Sequence, residues 1–244
     1  MKAALFVALT LLGDAPLSSP LVSHHLVVDG DASTDPETTD AVARACADIE
    51  STLGAPKRRV VVNVRVARDL EQFTRATGRP PFEAAAFTKG TLWLTPKGTR
   101  DRLFHLDLVY RHECVHAWMS AEAKGPLPRA LEEAIAMKIS GQSAKLPPAD
   151  PLTTRDIESA EAALALPRDR LRYEATLARV AATFSSCVTS DKAALLALTE
   201  VAIRSERPLI ALVGNGGPCS HALEPEEPAP ENQDARATEP SVRP

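Results

Sequence analysis

The residues of this chain richest in chemistry are His112-Glu113-Cys114-Val115-His116, two histidines four positions apart with a glutamate directly after the first. On a helix, positions i and i+4 lie one turn apart on the same face, so both imidazoles can bind one Zn2+ and leave room for a third ligand and a water. Glu113 is rotated by about 100° from His112, close enough to contact a metal-bound water without being a ligand. Zinc lowers the pKa of such a water towards neutrality, and a carboxylate can take its proton during attack on a carbonyl. The alternative is a pair of surface histidines on a charged helix. Val109, Val115 and Trp118 make this helix partly apolar, which suits the floor of a cleft better than a solvated face.

A third ligand must come from elsewhere. Residues 126–136, PLPRALEEAIA, read as a proline-containing loop leading into a helix with Glu132 and Glu133 near its start. A second helix after so short a loop can pack antiparallel to the first and present a carboxylate to it. Spacing leaves Glu132 and Glu133 both open, and either alone also fits a solvated glutamate complementing the positive end of a helix.

Taken with H-E-x-x-H, the run Pro128-Arg129-Ala130-Leu131-Glu132-Glu133-Ala134-Ile135-Ala136 resembles the P-x-W-L-x-E-G-x-A pattern of gluzincin zinc metallopeptidases of the peptidase MA-like group. Ala130 stands where that pattern has Trp, and Ala134 where it has Gly. The resemblance implies a zincin-like fold, His112, His116 and Glu133 (not Glu132) as zinc ligands, and Glu113 as general base. It also implies that the strand Thr91–Thr95 binds substrate main chain by strand addition. One turn after the ligand glutamate, where this group commonly carries an acid that orients a histidine, the chain has Met137.

Charge developing on an attacked carbonyl oxygen needs a donor. Of two tyrosines, Tyr110 precedes His112 by two positions and should face away from the metal. Tyr173, in a later helix, is the candidate catalytic tyrosine, set against a core tyrosine with a satisfied hydroxyl. His105 falls two turns before His112 on the same face and reads as a rim or partly exposed histidine. His24, His25 and His221 carry no expectation.

The elements that position these residues follow from pattern. His25–Val28 reads as a short strand. A helix capped by Thr34 or Asp35 follows, with Pro36 in its first turn and Val42, Cys46, Ile49 and Leu53 at helical spacing before Gly54. Val60, Val62, Val64 and Val66 alternate as a strand. Asp69 and Gln72 suggest a capping box for a short helix ended by Gly78. Ala84–Thr88 and Thr91–Thr95 flank Lys89-Gly90 as a hairpin. From Asp101 to about Ala121 the period turns helical, and helices are expected at about 129–140, 154–165, 170–186 and 191–204. Mixed strands first and helices after predict an α+β fold with a small mixed β-sheet N-terminal lobe, an active-site helix and a helical C-terminal lobe.

Residues 1–20 have Lys2, an apolar run from Ala3 to Leu12 and then small residues and prolines, which predicts a signal peptide and an exported product, periplasmic or extracellular. The run is too short for a stable membrane span. A metallopeptidase domain is expected over 21–222, and a disordered Pro/Glu-rich tail over 223–244. A net charge of −4 and no basic stripe interleaved with aromatics argue against nucleic acid as a partner. The four cysteines form no CxxC pair. Cys187 and Cys219 can pair in an oxidising compartment, whereas Cys46 and Cys114 read equally as small buried hydrophobes. The function expected is zinc-dependent hydrolysis of a peptide or protein substrate. A zinc-holding interaction module without turnover and a metal-free structural domain are the rival readings.

Overall fold

The structure, a computed structural model, describes residues 26–31, 35–100, 105–165, 169–214 and 216–220. The expected signal peptide and tail, together with His24, His25 and His221, lie outside the described residues.

Strand β1 (Leu26–Gly30) leads into helix α1 (Pro36–Leu53) and strand β2 (Val60–Val66). Asp35 caps α1 by accepting from the Thr38 amide at 2.8 Å, and Pro36 occupies its first turn. Helix α2 (Leu70–Thr77) begins at Asp69, which accepts from Gln72 N at 2.7 Å, and ends at Gly78 with φ 70°. Gln72 reaches back to the Arg68 amide at 2.7 Å, one residue before the cap. Strands β3 (Ala85–Thr88) and β4 (Thr91–Leu94) then form the expected hairpin, turning on Lys89 and Gly90 with φ 49° and 76°. Both turn residues are left-handed, as a type I′ two-residue turn requires.

The sheet order is β1-β2-β4-β3, with β1, β2 and β4 parallel and only β3 antiparallel to its neighbour. This corrects one expectation. Thr91–Thr95 cannot accept an added strand, because β4 is paired on both sides, with β2 through Asn63–Val66 and with β3. The outer arm of the hairpin is β3. The hairpin pattern alone did not say which of its two arms joins β2.

A short helix α3 (Lys97–Arg100) precedes the long helix α4 (Leu106–Glu122). The helix expected from Asp101 instead starts at Leu106, because His105 adopts a left-handed conformation (φ 70°) at the cap position. His105 therefore lies outside the helix, exposed, and not on a face shared with His112. The helical lobe comprises α5 (Arg129–Ser140), a 3-10 turn at Gln142–Lys145, α6 (Thr154–Ala165), α7 (Arg170–Phe184), α8 (Lys192–Arg204) and α9 (Pro208–Val213). The last of these was not anticipated.

One contiguous hydrophobic cluster joins both lobes. It takes Ile49 from α1, Val64 from β2, Leu92 from β4, Trp118 from α4, Leu131 and Ile135 from α5, and Phe184 from α7. The architecture is α+β, a small mixed sheet lobe and a helical lobe with α4 between them. Among the described residues no helix is long and apolar enough to cross a membrane.

Two disulfides are formed. Cys187 pairs with Cys219, one of the pairings the sequence allowed, and Cys46 pairs with Cys114, tying α1 to α4 across a sequence separation of 68. The second bond decides between the two readings left open for these cysteines, since α1 packs along α4 and brings them to a Cα–Cα distance of 5.0 Å. Paired cysteines fit an oxidising compartment. At the far end of α4, Trp118 Nε1 donates to Gly54 O at 2.8 Å, while buried Glu122 accepts from Lys57 N at 2.7 Å and faces Lys192 Nζ at 2.6 Å. Helix α4 is thus fixed at its C-terminal end and on its α1 face.

Candidate metal centre

His112 and His116 project from one face of α4, and Glu133 faces them from the first turns of α5. His112 Nε2 lies 3.1 Å from His116 Nε2 and 3.2 Å from Glu133 Oε2, and His116 Nε2 lies 4.0 Å from Glu133 Oε1. One ligand atom from each of the three lies within 4.8 Å of the others. Two nitrogens bound tetrahedrally to one ion at about 2.0–2.1 Å would stand about 3.3 Å apart. The donor set therefore fits a single metal ion, and the three residues form a group that could hold one. Two neutral imidazoles whose lone pairs meet at 3.1 Å would repel without a proton or a cation between them.

Glu133 rather than Glu132 enters this group, as the resemblance implied. Glu132 turns aside to Arg129, 3.4 Å away. The Glu133 carboxylate divides its labour: Oε2 faces His112, whereas Oε1 meets two guanidinium groups, Arg129 Nη2 and, at 3.3 Å, Arg79 Nη2. Burial works to raise its pKa, but Arg129 and then the His112 bond outweigh it and hold the carboxyl well below the usual range. At His112, burial disfavours the imidazolium, yet the bond to Glu133 and the Glu133 charge raise the pKa overall. Burial and the neighbouring His112 hold His116 well below an ordinary histidine.

The position of Glu133 depends on a carboxylate from another element. Helix α5 has Pro128 at its N-cap and no side-chain cap of its own. Glu161 of α6 supplies one, accepting from the Arg129 and Ala130 amides at 2.6 Å each. A carboxylate at these unsatisfied amides is favoured both by hydrogen bonding and by the helix dipole.

Glu113 lies on α4 under the sheet edge. Its Oε2 accepts from the Phe87 amide of β3 at 2.6 Å, which fixes the carboxylate within the cleft. Burial, opposed in part by His112, raises its pKa above the ordinary carboxylate value. Tyr173 reaches this cleft from α7. Its hydroxyl accepts from Arg79 Nη2 at 3.3 Å, and its ring lies 5.7 Å from that of Phe82. Tyr110 faces away, as expected, and bonds buried Arg100 at 2.9 Å. The cleft that these groups line has a volume of about 380 Å³.

Sequence reasoning missed Arg79, Arg129, Glu83 and Glu161. Arg129 carried a signal, because it precedes Glu133 by four positions on the same helix face. Arg79, in the turn after α2, carried none. It bonds Glu83 at 2.9 Å, Glu133, Tyr173 and, at 3.4 Å, the Leu164 carbonyl, so a single guanidinium links the sheet lobe to α5, α6 and α7. The acid missing at Met137 has a structural counterpart: buried His112 Nδ1 has no hydrogen-bond partner among the described residues.

Glu83, in the same cleft, has a side chain only 13% exposed and one oxygen, Oε1, without a partner. Burial, despite Arg79, pushes its carboxyl up to about 7. A folded-state pKa above the unfolded one means that its stabilising protonated form is fully present below the ordinary carboxylate range and lost as pH rises through about 7. In chelator-treated protein, Glu83→Gln is therefore expected to match wild type near pH 4 and to exceed it at pH 8 by up to ~3 kcal/mol. Urea unfolding at both pH values checks this, and a difference that does not grow with pH would contradict it.

No protein-family model and no curated protein matches the chain.

Proposed function

We propose that the protein is an exported, zinc-dependent peptidase in which His112, His116 and Glu133 hold Zn2+ and Glu113 is the general base. The observation that carries this reading is the convergence of three ligand atoms beside Glu113, with Glu113 itself bonded to an outer β-strand. A bound Zn2+ supplies Lewis-acid polarisation of a carbonyl and a lowered pKa for water. Two imidazoles and a carboxylate are a donor set suited to zinc.

The chain's own groups supply the remainder. Glu113 takes a proton from the attacking water and returns it to the leaving amine. Burial lifts its basicity above that of a solvated carboxylate, and the Phe87 amide holds it in place. Tyr173 donates its hydroxyl proton towards the carbonyl oxygen as charge develops there. Its own oxygen is already engaged as an acceptor from Arg79, which leaves the O–H free to point into the cleft. With its Phe87 amide taken by Glu113, the outer strand β3 offers its remaining outward main-chain groups to an extended peptide. The two disulfides support export.

Metal analysis is the direct test. Purified full-length protein should carry about one zinc per chain, and His116→Ala should carry none while its far-ultraviolet spectrum is unchanged. A folded wild type without zinc after reconstitution would end this proposal. A second reading, a zinc-holding interaction protein with weak or no turnover, draws on the orphaned His112 Nδ1. Losing the partner of a ligand histidine commonly weakens metal binding or activity by about 10–100-fold.

A further inference from the structure

Beyond His116 the cleft continues into a second arm of about 790 Å³, between the β3–β4 turn, the Lys57-Arg58 segment and the loop after α4. Phe87, Thr88, His116 and Arg129 line both arms, so the two adjoin at these residues. Their charges differ. The Tyr173 arm carries Glu83, Glu113, Glu133 and Glu174 against three arginines. The second arm carries five cations, Lys57, Arg58, Lys89, Lys124 and Arg129, against Glu122 and Glu132.

Both of those carboxylates have cationic partners, with Glu122 Oε2 buried and unbonded among the described residues. Glu122 is held by Lys192 and the Lys57 amide, and Glu132 by Arg129. Among the cations, Arg58 donates to the Ser120 and Ala121 carbonyls at 3.0 and 2.8 Å, and Lys124 pairs with Glu200 at 3.0 Å. The side chains of Lys57 and Lys89 have no carboxylate partner among the described residues. Lys89 is held over the groove by the hairpin turn, which is anchored where Asn63 N donates to Gly90 O at 3.0 Å. Uncompensated like charges lining a groove focus its field on a ligand of opposite sign.

We infer that this arm receives an acidic stretch of an extended peptide, so that the substrates carry Asp or Glu on the Lys57–Lys89 side of the scissile bond. The inference rests on the peptidase reading above and gives it a substrate class. Each solvent-exposed lysine–carboxylate contact contributes a factor of up to roughly five, and that contribution is screened by salt.

The test uses zinc-loaded Glu113→Gln protein and two fluorescein-labelled decapeptides of otherwise identical sequence, one with two adjacent Asp residues and one with Lys at those positions. Anisotropy titration at low ionic strength should favour the acidic peptide by roughly five- to tenfold, with the preference shrinking as salt is raised. Adding Lys57→Glu and Lys89→Asp should abolish or invert it. Aspartate is chosen at 89 because it tolerates the left-handed backbone there. An unchanged unfolding midpoint and zinc content would exclude misfolding as the cause.

Equal affinity for the two peptides, or no binding of either, would overturn the inference. So would a preference that survives charge reversal. Wild-type hydrolysis separates the two proposals. Cleavage of both peptides at equal rates leaves the peptidase standing and removes the acidic preference. Charge-reversible binding of the acidic peptide without any cleavage by wild type supports the arm's selectivity and removes the peptidase.

Discussion

Glu113→Gln is expected to lower peptide hydrolysis roughly a thousandfold while leaving zinc content at the wild-type level. Glutamine has nearly the shape of glutamate, and its carbonyl oxygen can still accept from the Phe87 amide, now at 2.6 Å from Glu113 Oε2. The variant therefore retains the bond between α4 and β3 and loses only the ability to take a proton. His112, His116 and Glu133 do not depend on Glu113 for their mutual distances. Comparing kcat/KM on a mixed peptide library with zinc measured on the same preparations separates chemistry from metal binding. A variant that keeps a tenth or more of wild-type activity would exclude Glu113 as the base. Zinc in a wild type that cleaves nothing would favour the interaction-module reading instead.

The second large effect concerns stability. Replacing Cys46 and Cys114 together by alanine should lower the free energy of unfolding by about 4 kcal/mol, from the entropy of a freed loop of this length. The bond closes a loop with a separation of 68 residues, against 32 for Cys187–Cys219. Cys114 lies between the two ligand histidines in sequence and is rotated to the opposite side of α4, where α1 packs. The disulfide thus braces the back of the helix whose front carries the imidazoles. Denaturant titration of the double variant with and without zinc should show the loss in both states. A loss below about 1 kcal/mol would mean that the packing of Ile49, Leu53 and Trp118 alone fixes α1 against α4.

Local features were the most legible in the sequence. Asp35 and Asp69 cap their helices because a short acceptor side chain can reach the third amide, a rule contained within four residues. Lys89-Gly90 makes its turn for a similarly local reason. The pairing of His112 with His116 needed only helix geometry, and Glu133 was reached through resemblance. Features set by chain crossings were not legible. Which hairpin arm joins β2 depends on the path through α2, and the short alternating runs of both arms are equally compatible with either answer. The start of α4 at Leu106 depends on a left-handed His105, an uncommon conformation that no residue pattern announces. Arg79 and Glu161 matter through contacts that span 54 and 31 to 32 positions, and their immediate neighbours do not advertise them.

The bond from Phe87 to Glu113 also bears on solubility. An outer strand exposes a row of amides and carbonyls that can recruit the sheet of another molecule, and proteins commonly blunt such a row. Strand β3 is only four residues long, and Glu113 occupies one of its outward amides from below with a charged-type group. The side chain proposed to handle protons thus also acts as a stopper on a sticky border. Removing it as Glu113→Ala, rather than Glu113→Gln, would uncover the Phe87 amide, so the alanine variant is the one to avoid in assays that need concentrated protein.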